Sequence, residues 1–284
     1  MRSISSQMDG PTIVAEVRMQ RQTHKGAFLL VEGWTDVKRF ERVVDQTCAF
    51  VNCFGKVNVL YAIDSLYDDG FEGALGLVDA DFDRLLGTLP VHEGIVVSET
   101  HDFDLDTITT TIFERYVSEV ADTKKIAALG GARKFLLAIL NSIKPLAAMK
   151  FTNVKHRLGY SMSDIDLEQF FNGRKIDLTK MIDRCSQGKL SGQVARETLE
   201  ANIRRYLGSG IDIYQIVSGH DFCAALGIAL RNVAGTRKHP QTWRSEIELH
   251  IRLAFDFDHF REMQAFPQIS KWEAENVPRR IVRQ

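Results

Sequence analysis

The stretch "LLVEGWTDVKRF", Leu29 to Phe40, decides how the fold is read. Leu29, Leu30 and Val31 form an uninterrupted apolar run, the pattern of a strand covered on both faces of its sheet. The run stops at Glu32, where the chain is leaving the core. Gly33 follows and suits a strand-to-helix turn that approaches a phosphate or an ion closely. Asp36, four residues after Glu32, falls in the first turn of the next helix. A second stretch, "GALGLVDADFD" (Gly73 to Asp83), repeats the arrangement, with an apolar run ending at Asp79 and Asp81. Two strands that deliver acids to one edge of a sheet point to a metal site.

Working outward, the first part of the chain alternates. Strands are expected at 27–32, 48–53, 74–79 and 94–98, with helices at about 34–46 and 57–68. That rhythm predicts an α/β fold with a mainly parallel sheet flanked by helices. After residue 104 the pattern turns mostly helical, with helices expected near 104–122, 131–144, 191–207, 220–232 and 243–260. Residues 145–190 mix short apolar and polar runs, so part of that stretch is expected to be irregular. The division this implies is an N-terminal arm or helix over 1–25, a metal-binding domain over 26–125, and a mainly helical domain over 126–284 for nucleic-acid and partner binding.

The chain has 284 residues, 44% of them apolar, enough for a full core. Its formal charge of -1 hides an asymmetry. Residues 26–110 hold 16 acidic and 5 basic residues, which leaves 21 acidic and 31 basic residues elsewhere. An acidic segment suits divalent cations, and a basic remainder can guide a nucleic-acid backbone toward them. No apolar run is read as approaching the roughly 20 residues that span a bilayer, and "MRSISSQMDG" lacks a hydrophobic signal core. A cytoplasmic location without membrane contact is therefore expected. The four cysteines include no C-x-x-C pair, so buried thiols are expected instead of a zinc ribbon or disulfides.

Asp79 and Asp81 are two residues apart and share a face if the strand continues through Ala80. Together with Glu32 they offer the hard oxygen ligands that Mg²⁺ prefers, Mn²⁺ being the alternative ion; the competing reading is solvated loop acids. Asp36 and Asp106 are candidates for a second ion. In "ETHDFDLDTI" some of Glu99, Asp102, Asp104 and Asp106 must be helix caps, and Asp102 is read equally as a cap or a metal contact. Lys56 in "FGKV" is a candidate phosphate contact or a solvent-exposed lysine. His220 in "VSGHDF" is a candidate catalytic proton donor or a structural histidine, with Asp221 as the expected cap of its helix. An aspartate-nucleophile phosphatase is disfavoured because "DADFD" lacks the threonine of such loops and follows two candidate strands instead of opening the domain.

The motifs "LLVEGWTDVKRF" and "GLVDADFD" resemble the Toprim signature. In that family a glutamate after the first strand and an Asp-x-Asp after a later one bind magnesium. "FGKVNVL", "HDFDLD", "VSGHDF" and "KWEAENV" resemble one branch, the short Toprim proteins related to the overcoming-lysogenization-defect (OLD) nucleases. That branch includes the Toprim effectors of the PARIS anti-phage system. The resemblance covers 26–110 and, through shorter phrases, the remainder. It departs where such proteins often carry Asp-x-Glu, since this chain has Asp104 and Asp106.

The resemblance implies a metal-dependent endonuclease with Glu32, Asp79, Asp81 and His220 catalytic and Glu32, Asp36, Asp79, Asp81 and Asp106 near metal. It further implies a homodimer and a toxic effector that cuts tRNA, restrained by an ABC-type ATPase partner. A DNA-specific OLD-type endonuclease and a non-catalytic Toprim-like binding module are the alternatives. The chain has no G-x-x-x-x-G-K-[ST] loop, so ATP hydrolysis is not expected of it alone.

Overall fold

The computed structural model describes residues 8–162, 165–186, 193–235 and 244–283. Strands β1 (Phe28–Val31), β2 (Ala49–Asn52), β3 (Ala74–Val78) and β4 (Ile95–Val97) form one sheet of order β2-β1-β3-β4. Every neighbouring pair is parallel, and each strand lies inside its expected span. β1 can be wholly apolar because both its faces are covered; Phe28, Leu29, Leu30 and Val31 are all 0% exposed. From β1 the chain moves out to β2 and then crosses back to β3 on the other side of β1. The carboxyl ends of β1 and β3 therefore flank the point where strand order reverses, the usual ligand position in open parallel sheets.

Helix α1 (Gly10–Arg21) starts at Asp9, whose carboxylate accepts the Thr12 N–H at 3.0 Å, and buries Ile13, Val14 and Val17. Helix α3 (Lys56–Asp68) places Val59, Ala62, Ile63 and Leu66 on its buried face, the spacing of an amphipathic helix. It lies so close to β3 that a Cβ on Gly76 would come within 2.8 Å of Val59 Cγ1 and 2.7 Å of Ile95 Cδ1. Helix α2 (Trp34–Phe40) is shorter than the expected 34–46. The reason is competition for backbone: Asp45 N–H donates to Ile281 O at 2.7 Å and Val43 O accepts from Arg283 N–H at 3.0 Å.

Two compact units divide the chain differently from the expected domains. One joins 1–80, 89–110 and 252–284; the other joins 81–88 and 111–251. Residues 252–284 thus belong with the sheet, where Trp272 Nε1 donates to Tyr67 Oη at 3.0 Å, instead of with one helical domain over 126–284. The boundary expected near 125 lies near 110, and it breaks the expected 104–122 helix into Phe103–Ile108 and Ile112–Val120. At that break Thr109 and Thr110 turn their hydroxyls onto the carbonyls of Asp106 and Thr107, at 2.8 and 2.7 Å.

The second unit is built on Ala132–Lys155, which continues past the expected end at 144. By length and composition this helix is apolar enough to cross a membrane, which corrects the expectation that no run reaches that length. Yet 61% of its apolar window is buried within the protein, the pattern of a core helix. Helices Gln193–Leu207, Ile213–Ile216 and Gly219–Ala229 pack on it, and Leu230–Ala234 continues the last as a π-helix. Of the helices expected at 191–207 and 243–260, residues 191, 192 and 243 lie outside the described residues. The second of these divides into Arg244–Ala254 and Phe257–Glu262 at Asp256, whose carboxylate accepts the N–H groups of Asp258 and His259 at 3.1 Å each. All four cysteines are free and buried.

Candidate metal centre

The acids gather at the carboxyl edge of the sheet because each parallel strand ends there in a turn. Glu32 leaves β1, and its Oε1 accepts the Asp79 N–H at 2.8 Å, tying the end of β1 to the end of β3. Asp79 Oδ1 in turn accepts the Phe103 N–H at 2.9 Å. Asp36 folds back over the start of α2, with Oδ2 accepting the Gly33 N–H and Oδ1 accepting Arg39 Nη1, both at 3.0 Å. Asp102 caps the helix Phe103–Ile108 by accepting the Leu105 N–H at 2.7 Å. The cap reading of Asp102 is thus realised at its Oδ1.

Arg39 lies beneath this cluster. It is not singled out in the sequence, yet it is 2% exposed and its guanidinium bridges Asp36 and Asp104. Burial opposes its charge, but Asp104, Asp36 and Asp79 outweigh burial and hold its pKa above the ordinary value. The signal available in the sequence was the Asp36–Arg39 spacing of one helical turn. Its second partner is 65 positions away in sequence.

Asp79 carries the electrostatic tension of the site. Burial, then the charges of Asp102, Glu32 and Asp36, push its carboxyl well above the usual range, against the opposing Phe103 N–H. A carboxylate desolvated among carboxylates gains most from a cation. The oxygens here suit Mg²⁺, which often takes one or two protein carboxylates and keeps several waters. Among the described residues no group of three or more His, Cys, Asp or Glu side chains is arranged to hold a metal ion as it stands. The fit therefore rests on Glu32 and Asp79, not on a closed cage.

Other expected positions differ. The strand ends at Val78, so the alternation that would align Asp79 with Asp81 does not apply; Asp81 is exposed, with φ 50°, and begins the segment that clusters with the helical unit. Asp106, expected near a second ion, is 4% exposed and serves the loop before it. Its Oδ2 accepts the Glu99 N–H at 2.9 Å, while Oδ1 accepts the Thr100 N–H at 2.7 Å and the Thr100 hydroxyl at 2.6 Å. Lys56, a candidate for phosphate contact or solvent exposure, donates Nζ to the Asp79 carbonyl at 2.5 Å and to the Ala80 carbonyl at 3.4 Å. It fixes the turn after β3, next to the acids.

His220 belongs to the helical unit, where it is 54% exposed and Nδ1 meets Glu248 Oε1 at 2.8 Å. The cap of its helix is Ser218, whose hydroxyl accepts the Asp221 N–H at 3.2 Å, and not Asp221 as expected. Asp221 pairs with Lys150 at 2.7 Å. Trp34, not singled out in the sequence, opens α2 two residues after Glu32 and is 61% exposed. Neither protein-family models nor curated proteins yield a match to this chain, so the reading of the site rests on its own residues and geometry.

Proposed function

We propose that the chain is a Mg²⁺-dependent Toprim-like nuclease, with Glu32 and Asp79 as the residues that hold the ion. The observation that carries this reading is Asp79 at the strand-order reversal, desolvated and surrounded by Asp102, Glu32 and Asp36. Once bound, the ion supplies positive charge to the phosphoryl oxygens and a nucleophilic water at neutral pH. Glu32 and Asp79 bind and orient it. Arg39 holds Asp36 and Asp104 in place, and Lys56 secures the turn on which Asp79 stands. Trp34 offers an exposed aromatic face to a base flanking the scissile phosphate. The Toprim resemblance also implies metal contact for Asp81 and proton transfer for His220, but the site proposed from the geometry consists of Glu32 and Asp79 alone.

The excess of basic residues outside 26–110 supports a nucleic-acid substrate. We place RNA, with tRNA as the specific target, ahead of DNA on the resemblance to the PARIS branch. The same resemblance supports a homodimeric defence effector restrained by an ATPase partner.

The test titrates Mg²⁺ and Mn²⁺ into wild type and Glu32→Gln, following thermal stability and intrinsic tryptophan fluorescence, alongside cleavage of tRNA and DNA. Metal should stabilise and cleavage should appear only in the wild type. Cleavage that survives Glu32→Gln refutes the site. A metal response without cleavage of either substrate moves the reading to a binding module.

A further inference from the structure

Within the sheet unit, the C-terminal segment lines an open surface pocket of about 610 Å³ that the metal chemistry does not use. Its lining combines Phe257 and Phe266 with Arg261, Arg279, Arg280 and Arg283. The two rings are partly exposed and meet edge to face, centroids 6.0 Å apart, and Phe266 also meets the buried Phe260 edge to face at 5.7 Å. The arginines are not equivalent. Arg279 is spent on Glu72 at 2.8 Å. Arg283 donates to the neutral carbonyls of Val44 and Glu41, which leaves its charge uncompensated by them. Arg261 and Arg280 are exposed and carry no hydrogen bond or ion pair among the described residues, although Arg280 and Arg283 lie near enough to Asp45 to favour its ionised form.

Glu273, the acid of the lining, is turned to the backbone. Its Oε1 accepts the N–H groups of Ile281 and Val282 at 2.6 and 2.7 Å, which shapes the segment carrying Arg280 and Arg283. The result is a pocket of small-ligand size lined by two partly exposed phenyl rings and three guanidiniums not neutralised by a direct carboxylate partner. Guanidiniums bind phosphate in a bidentate fork, and phenyl faces accept a nucleobase without regard to its identity. A ligand that offers both a flat base and a multiply charged phosphate group satisfies every feature.

We propose that this pocket binds a nucleoside 5′-diphosphate, separately from the metal centre. The inference does not rest on the nuclease reading. The test is calorimetric titration of the full chain with ADP in EDTA, against adenosine and pyrophosphate as fragments, repeated with Glu32→Gln. ADP should bind at least about tenfold tighter than either fragment. Arg261→Gln combined with Arg280→Gln should weaken it by about tenfold or more, as expected for losing charge-assisted hydrogen bonds. Phe266→Leu should bring ADP close to pyrophosphate in affinity, and Glu32→Gln should leave binding unchanged. Unaltered melting temperatures would show that the variants are folded. The proposal is overturned if ADP does not bind, if pyrophosphate binds as tightly as ADP, or if the folded arginine variant binds like wild type. Loss of ADP binding in Glu32→Gln would assign the nucleotide to the acidic edge and also overturn it.

Discussion

Replacing Asp106 with alanine separates a ligand from a loop staple. The side chain is buried and accepts three hydrogen bonds, from the Glu99 N–H, the Thr100 N–H and the Thr100 hydroxyl, at 2.9, 2.7 and 2.6 Å. A buried donor left unsatisfied costs about 1–3 kcal/mol. The Thr100 N–H is buried and the Glu99 N–H only partly so, and the hydroxyl can rotate toward the Asp102 carbonyl that it already contacts at 3.1 Å. The expected loss is therefore about 2–4 kcal/mol, or a fall in Tm of roughly 5–15 °C for a chain of this size. Asp106→Asn keeps an acceptor for Thr100 but turns an NH₂ group toward the Glu99 N–H, so it should lose about half as much. Urea denaturation gives the stability. Terbium luminescence sensitised by Trp34 gives metal affinity, which should stay within about twofold of wild type in the folded Asn variant. An Asn variant of full stability whose metal affinity falls more than about tenfold would refute this reasoning and restore Asp106 as a ligand.

Asp79→Asn retains an acceptor for the Phe103 N–H and removes a charge opposed by burial and by Asp102, Glu32 and Asp36. In metal-free buffer near pH 7 it should melt above wild type, by roughly 2–4 °C for each kcal/mol gained, and show no stabilisation by Mg²⁺. The sign follows from the raised folded-state pKa: the penalty of the ionised acid is complete above that pKa and vanishes as pH falls toward the unfolded value near ~3.9. The gap between variant and wild type should therefore close on acidification, and differential scanning calorimetry showing a pH-independent gap would contradict it. Gly76→Ala should cost about 1–3 kcal/mol, because the new methyl would press on Val59 and Ile95; an unchanged urea midpoint would mean α3 can move aside. On the proposed nuclease reading, Lys56→Gln should lower the cleavage rate while leaving KM nearly unchanged, with partial rescue by arginine, because Lys56 holds the Asp79 and Ala80 carbonyls. A rise in KM alone would instead return Lys56 to phosphate binding.

The sequence by itself determined the strand set and its delivery of acids. Leu29–Val31 and Ala74–Val78 are apolar without alternation because parallel strands are covered on both faces, and Glu32 and Asp79 mark where that cover ends. Only the tertiary structure decided which acids act together and which ones brace the fold. The Glu32–Asp79 contact spans 47 positions and the Arg39–Asp104 pair 65, separations over which no local periodicity carries information. Helix limits failed for the same reason: α2 stops early because the backbone around Val43 and Asp45 bonds to Ile281 and Arg283, more than two hundred residues later. Asp106 offered itself as a metal ligand, and Arg39 drew no reading at all, because residue type sets only what a side chain can do. Burial and partners, which are fixed by how distant segments pack, set what it does.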